Sequence, residues 1–203
     1  IQADVVNGDT CDELWNELLK EADNIKNSYE LLAINKRPAV AATRKVYKAL
    51  GKDPGRYRVA SEALCRRIIR GIGLYRLTTL IDVVNLVSIK SGYAISCLDF
   101  DKIEGDTLTL GVGEAGEVYN GIGRGALNIE NMPVYRDAIG GVATPTSDEE
   151  RTKFTPETTT EQININGYGP EMDMEETINL MVDLLKRYAQ ATNIQTSIVS
   201  NFD

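Results

Sequence analysis

The strongest constraint on the fold lies in residues 79–91, where Leu80, Ile81, Val83, Val84, Leu86, Val87 and Ile89 cover nearly the whole circumference of a helix. A helix that is apolar all round is buried on more than one side, so other elements must wrap it. Thr78 or Thr79 is the expected cap, and Gly92 the expected left-handed stop. Asp82 and Asn85 sit three residues apart inside this run and therefore share a face. Buried polar groups need partners, so the pair either braces the fold or lines a pocket. From Tyr93 onward the apolar period becomes two, and strands follow.

Upstream, the chain reads as basic helices. Residues 1–8 alternate weakly, as an edge strand would, and Thr10 with Glu13 has capping-box spacing ahead of the apolar face Leu14, Leu18, Ala22 and Ile25. Pro38 opens a second helix that Gly51 should end. A third is expected from a Ser61 cap to Arg70, with Gly71 after it. On these helices Arg44, Lys45, Lys48, Arg66, Arg67 and Arg70 should project outward. Residues 36–76 hold twelve Lys or Arg against Asp53 and Glu62, a local balance of +10 in a chain whose net charge is −8. The remainder therefore carries −18, and the asymmetry suggests an anionic partner on one face.

Downstream, Leu108, Leu110 and Val112 alternate with small or polar residues as in a half-buried strand. Gly111, Gly113 and Gly116 match a dinucleotide fingerprint by spacing, but no helix pattern follows, so that reading is rejected. Gly121, Gly123 and Gly125 read as hairpin turns. Strands are expected at 133–137 and 158–165, with a polar loop at 144–151 in which Ser147 and Glu150 have capping spacing. A break at 167–170, an amphipathic helix through Met174, Ile178, Met181, Leu185 and Tyr188, and a last strand at 194–199 complete the chain. Helices first and strands later argue for one α+β domain over residues 1–203, a sheet or sandwich covered by helices.

The chain has no histidine. That excludes Ser-His-Asp and Cys-His catalysis and leaves carboxylates, hydroxyls, amides or the substrate's own groups for any hydrolysis. No metal or cofactor is expected, because the acids 148–150 lack a spaced oxygen-ligand frame. Cys11, Cys65 and Cys97 are odd in number and widely spaced, which favours a reducing compartment, by default the cytoplasm. No run approaches the roughly 18 apolar residues of a membrane span, and no membrane partner is expected.

Leu80-Ile81-Asp82-Val83-Val84-Asn85-Leu86-Val87 resembles the V-V-D-V-T-N-Y-V segment of the phenylalanyl-tRNA synthetase beta chain. The spacing continues to L-D-F-D-K-I-E-G at 98–105, like that family's A-F-D-L-D-K-I-x-G. G-E-A-G-E at 113–117 and the glycine pair Gly140-Gly141 also resemble its turns. The similarity is strongest over residues 71–165 and corresponds to the editing module built from the third and fourth B domains, in freestanding form, with 1–70 as a helical, basic lead-in. It implies a three-layer α+β fold with a β-sandwich of unusual topology. It implies binding of the acceptor end of tRNA and hydrolysis of mischarged aminoacyl-tRNA.

On that resemblance Thr78, Thr79, Asp82, Asn85, Ser96, Asp99, Gly140 and Gly141 are the substrate-binding candidates. Ser96, Glu149 and Glu150 are the catalytic candidates, and Lys45, Lys48, Arg66, Arg67, Arg70 and Arg76 the RNA-binding ones. Two departures stand out. The family's pocket histidine is Ser96 here, and its Asn-Asn helix entry is Thr78-Thr79. A non-catalytic relative that binds tRNA, an amino acid or a protein partner is the alternative reading.

Overall fold

The computed structural model describes residues 1–169 and 174–200. In chain order they form β1 (Gln2–Asp4), α1 (Asp12–Ser28), α2 (Pro38–Ala49), α3 (Ala60–Ile69), α4 (Thr79–Ser91), β2 (Ala94–Asp99), β3 (Thr109–Val112), β4 (Asn120–Gly121), β5 (Gly125–Ala126), β6 (Pro133–Arg136), β7 (Gly141–Ala143), β8 (Thr160–Asn166), α5 (Met174–Tyr188) and β9 (Thr192–Gln195). The fold is α+β. A four-stranded sheet runs β2-β8-β1-β9, a three-stranded sheet runs β3-β6-β7, and β4-β5 is a small hairpin. Every strand pair is antiparallel, and the longest register runs from Ala94 opposite Asn166 to Asp99 opposite Glu161.

Helix α4 sits at the centre, as its apolar circumference demands. Leu80, Val83, Val84, Leu86 and Val87 join the main core with Leu14 and Leu18 of α1, Met181, Leu184 and Leu185 of α5, and Ile95 and Ile163 of the larger sheet. Ile89, near its other end, packs instead with Ile25, Ile34, Cys65 and Ile68. Both helix ends are consequently buried, and their unpaired backbone groups need partners other than water. Arg37, buried ahead of Pro38, donates Nη1 to Ile89 O at 2.8 Å and Nη2 to Lys90 O at 2.8 Å. The Ser61 hydroxyl donates to Gly92 O at 2.7 Å, where a φ of +84° fits only glycine comfortably.

Several expectations are corrected by this demand. Ser61 does not cap α3, whose N-cap is Val59, because its hydroxyl serves the C-terminal end of α4. Thr10 does not cap α1 either: Cys11 holds that position, and the Thr10 hydroxyl donates to Asp82 Oδ2 at 2.6 Å. Strand β1 is not an edge strand but lies between β8 and β9. The final strand ends at Gln195, and Ile198 and Val199 are exposed. Leu110 and Val112 face solvent, so β3 is not half-buried; Leu108, one residue before it, packs against the cluster of Leu98, Val142 and Ala143. Ser147 is not a cap: Glu149 takes that role by accepting from Arg151 N. Pro170 lies outside the described residues.

The rejected dinucleotide loop has a structural purpose. A Cβ on Gly113 would stand 1.9 Å from Ile129 O, so the glycine allows two backbones to touch. Gly123 and Gly125, with positive φ, turn the β4-β5 hairpin as expected.

Candidate functional site

Alternation along β2 and β8 sorts their side chains onto two faces. Ile95, Cys97, Ile163 and Ile165 belong to the main core. Ala94, Ser96 and Leu98, with Gln162, Asn164 and Asn166 across the register, therefore point the other way. There Leu98 packs on Val142 and Ala143 of the second sheet. The polar members of this inter-sheet face are poorly paired. Among the described residues Ser96 Oγ, Asn164 Nδ2 and Asn166 Oδ1 of this face are buried without a hydrogen-bond partner, as is Tyr168 Oη two residues beyond β8. Gln162 Nε2 donates to Asn164 Oδ1 at 2.9 Å, which orients that amide and leaves its donor end open. Native interiors hold few such orphans, and each calls for a partner such as water, an ion or a ligand.

Asp148 completes the cluster. Strand β2 is an edge of its sheet, and its outward Cys97 N–H donates to Asp148 Oδ2 at 2.9 Å. Part of the residue reaches the surface, but its carboxyl is enclosed. Burial pushes that carboxyl up to about 7, against the opposing pull of the Cys97 amide. A carboxyl that exchanges its proton near neutral pH has the proton affinity a general base needs. Cys97, by contrast, is held well above the usual thiol range by burial and by the Asp148 and Glu161 carboxyls, so it is no nucleophile. Glu161, on the core face, is raised by burial to about 8.

The other candidates fall into separate groups. Thr78, Thr79 and Asp82 meet the segment before α1: Thr79 Oγ1 donates to Asp9 O at 3.2 Å, and Leu77 N to Asp82 Oδ2 at 3.0 Å. Burial raises the Asp82 carboxyl, while Thr10, the Leu77 amide and Asn85 oppose the rise. Asp82 thus braces α4 against its neighbours. Asp99 accepts from Thr158 Oγ1 at 2.8 Å and pairs with Lys102 at 2.8 Å. The Gly140 amide donates to Asp137 Oδ1 at 3.1 Å, so it is not free for an oxyanion. Glu149 is folded back on Arg151 N, and exposed Glu150 pairs with Lys153. Of the sequence candidates, Ser96 alone lies in the orphan cluster. Asp148, Asn164, Asn166 and Tyr168 were missed. The Q-I-N-I-N alternation carried a readable signal for the two asparagines, and nothing local marked Asp148.

The glycine pair behaves unequally. A Cβ on Gly141 would stand 2.9 Å from the Tyr119 ring, whereas one on Gly140 meets nothing within 4 Å. Gly141→Ala is therefore expected to destabilise by about 1–3 kcal/mol, as overpacking does. Gly140→Ala should remain near wild type in a urea titration; equal losses would contradict this placement.

The basic helices also turn partly inward. Glu62, buried, lies 2.9 Å from Arg44, 3.6 Å from Arg58 and 3.9 Å from Arg66. Arg66 further donates to Leu31 O at 3.1 Å, so neither it nor Arg44 projects freely. Arg76 holds Thr10 O through Nε at 3.1 Å and Asp12 at 2.8 Å. Lys45, Lys48 and Arg70 are exposed. Two open grooves, of about 350 and 240 Å³, lie elsewhere: one beside Asp4, Thr160 and Thr192, one beside Glu175, Asn179 and Thr196. Their linings carry no comparable cluster of orphaned polar atoms. Among the described residues no helix is long and apolar enough to cross a membrane.

Fold and site together describe an α+β protein of helices and antiparallel sheets, with a polar face along β2 and β8. The chain belongs to the B3/4 domain family, which matches residues 42–198. That domain is found in the phenylalanyl-tRNA synthetase beta chain. Among solved structures, an N-terminal fragment of the phenylalanyl-tRNA synthetase beta-subunit from Pyrococcus horikoshii is similar at 21% identity with a TM-score of 0.47. The match covers 56% of this chain and 41% of that one, less than half of the fragment. No curated protein matches.

Proposed function

We propose that the protein binds the acceptor end of aminoacyl-tRNA, places the aminoacyl group against the inter-sheet face, and hydrolyses its ester in trans. The observation that carries this reading is the row of orphaned buried polar atoms along one face of β2 and β8, with Asp148 held on the Cys97 amide at the edge of that pair. Water attacks the ester carbonyl while Asp148, ionised, takes its proton. Asn164 Nδ2 and the Tyr168 hydroxyl donate to the oxyanion, as buried, preorganised donors can. The ester C–O bond then breaks, and the ribose oxygen recovers the proton from Asp148. Ser96 and Asn166 orient the substrate's amine or side chain. Thus an aspartate of raised pKa takes the part of a histidine base. In this reading the two sheets form the three-layer β-sandwich that the resemblance implies, and the protein acts in the cytoplasm.

The test is deacylation of a panel of correctly charged and mischarged tRNAs by the wild-type protein. Turnover of at least one above the buffer rate supports the proposal, and none removes the hydrolytic step. A second reading, binding without hydrolysis, is favoured by the Gly140 amide being taken and the Asp148 carboxyl being enclosed. It predicts saturable binding of aminoacyl-tRNA with no turnover.

A further inference from the structure

The connection between α3 and α4 exposes an unusual set of side chains. Tyr75 is 66% exposed, and Ile72 and Leu77 on either side are exposed as well. The Arg67 guanidinium stacks 4.3 Å from the centroid of the Tyr75 ring. Arg67 is itself fixed, because its Nε donates to Gly73 O at 2.6 Å. The loop is pinned beneath by Gly71 N to Ile68 O at 2.9 Å and Ile72 N to Arg67 O at 3.2 Å, while Leu74 packs into both helical clusters. An exposed ring backed by a cation, on a backbone held from below, is a preformed planar surface. Arg70 is exposed at the same helix end, and Arg76 follows Tyr75 directly.

We propose that Tyr75 is a stacking platform for an unpaired nucleotide of RNA, with Arg67 and Arg70 taking the flanking phosphates. A base laid on the open face extends the guanidinium–tyrosine stack, and aromatic stacking with an arginine rim suits every base alike. A duplex offers no free base face, so the platform selects unpaired strands. The chain is otherwise strongly acidic, which confines phosphate attraction to such cationic places. The inference rests on the RNA-binding part of the proposed function but not on hydrolysis.

The experiment measures binding of the whole protein to a fluorescent unpaired RNA strand and to a duplex of the same sequence, over a salt series. Tyr75→Ala should weaken the unpaired strand by about five- to a hundredfold with its salt slope unchanged. Tyr75→Trp should keep the affinity and add fluorescence quenched by the strand, beyond the signal of Trp15. Arg70→Gln should lower the slope by about 0.7. Unchanged affinity of Tyr75→Ala, or equal binding of the duplex, overturns the platform while leaving RNA binding intact. A wild-type protein that binds neither RNA overturns both. If such a protein self-associates in sedimentation and Tyr75→Ala abolishes that, the face is a protein contact.

Discussion

Asp148→Asn is expected to stabilise the protein at pH 8 while lowering deacylation by about a hundred- to ten-thousandfold. The two effects have one cause. Burial holds the Asp148 carboxyl at about 7, whereas an aspartate in the unfolded chain titrates near about 3.9. Below that lower value the group is neutral in both states and costs nothing. Between the two values the unfolded chain releases a proton that the folded chain keeps, so stability falls as pH rises. Above about 7 the loss levels off, on the order of a few kcal/mol. Asparagine can still accept from the Cys97 amide but carries no charge, so this loss disappears. Near pH 4 the variant should match wild type in thermal unfolding. At pH 8 its midpoint should be higher by roughly 5 °C or more. A deficit of equal size at both pH values would mean that Asp148 is held as a stabilising anion, and the assignment would fail.

Glu161→Gln should show the same sign over a window reaching to about pH 8, without the loss of activity, because Glu161 lies on the core face of the sheet. Asp137 works in the opposite direction. Burial would raise it, but Arg151 at 2.8 Å and the amides of Glu104, Ile139 and Gly140 hold it at about 2. Its contribution is present above the ordinary carboxyl range and is lost as pH falls toward about 2. Stability should therefore peak in mildly acidic solution. The working pH of a site with Asp148 ionised lies on the descending side, the ordinary relation between a strained site and its activity.

What the sequence made legible follows the range of the interactions involved. The burial of α4 was readable because seven apolar residues cover nearly the whole circumference and leave only the narrow face of Asp82 and Asn85. Asp82 was readable as an unexplained polar group, and the structure gives it Thr10 and the Leu77 amide. Thr10 and Ser61 were misread as caps because capping spacing is a local signal, while the groups they serve are distant in the chain: Asp82 and Gly92. Asp148 was invisible for the same reason. It matters only because β2 is an edge strand, and that depends on β8 pairing on one side alone. The acids beside it, Glu149 and Glu150, read the same in sequence but turn toward Arg151 and Lys153. One peptide step decides which carboxyl is enclosed. The charge of residues 36–76 was read as a surface, yet Arg37 and Lys52 are buried, and Arg44 and Arg66 close on Glu62. Periodicity counts charges without saying which ones fold inward.

Arg37→Met is expected to cost about 3 kcal/mol or more, equally at pH 5 and pH 9. The methionine can replace the aliphatic stem, so the loss isolates the guanidinium. That group bridges Ile89 O and Lys90 O, with Cys65 Sγ at 3.1 Å and the Tyr29 ring 5.4 Å away. Without it two carbonyls at a buried helix end lose their donors, and hydrogen bonds to a charged group contribute about 1.5–3 kcal/mol each. An arginine cannot shed its proton to escape burial, whereas Asp148 can. Hence the Arg37 effect should be flat with pH and the Asp148 effect steep. Arg37→Lys should recover only part of the loss, since one ammonium cannot span two carbonyls as a fork does. Urea unfolding at both pH values reads the difference, and hydrogen exchange at Gly92, whose amide donates to Ser88 O at 2.9 Å, reads it locally. If Arg37→Met unfolds at the wild-type midpoint, the two carbonyls have found other donors, and the arginine is not what holds this end of α4 shut.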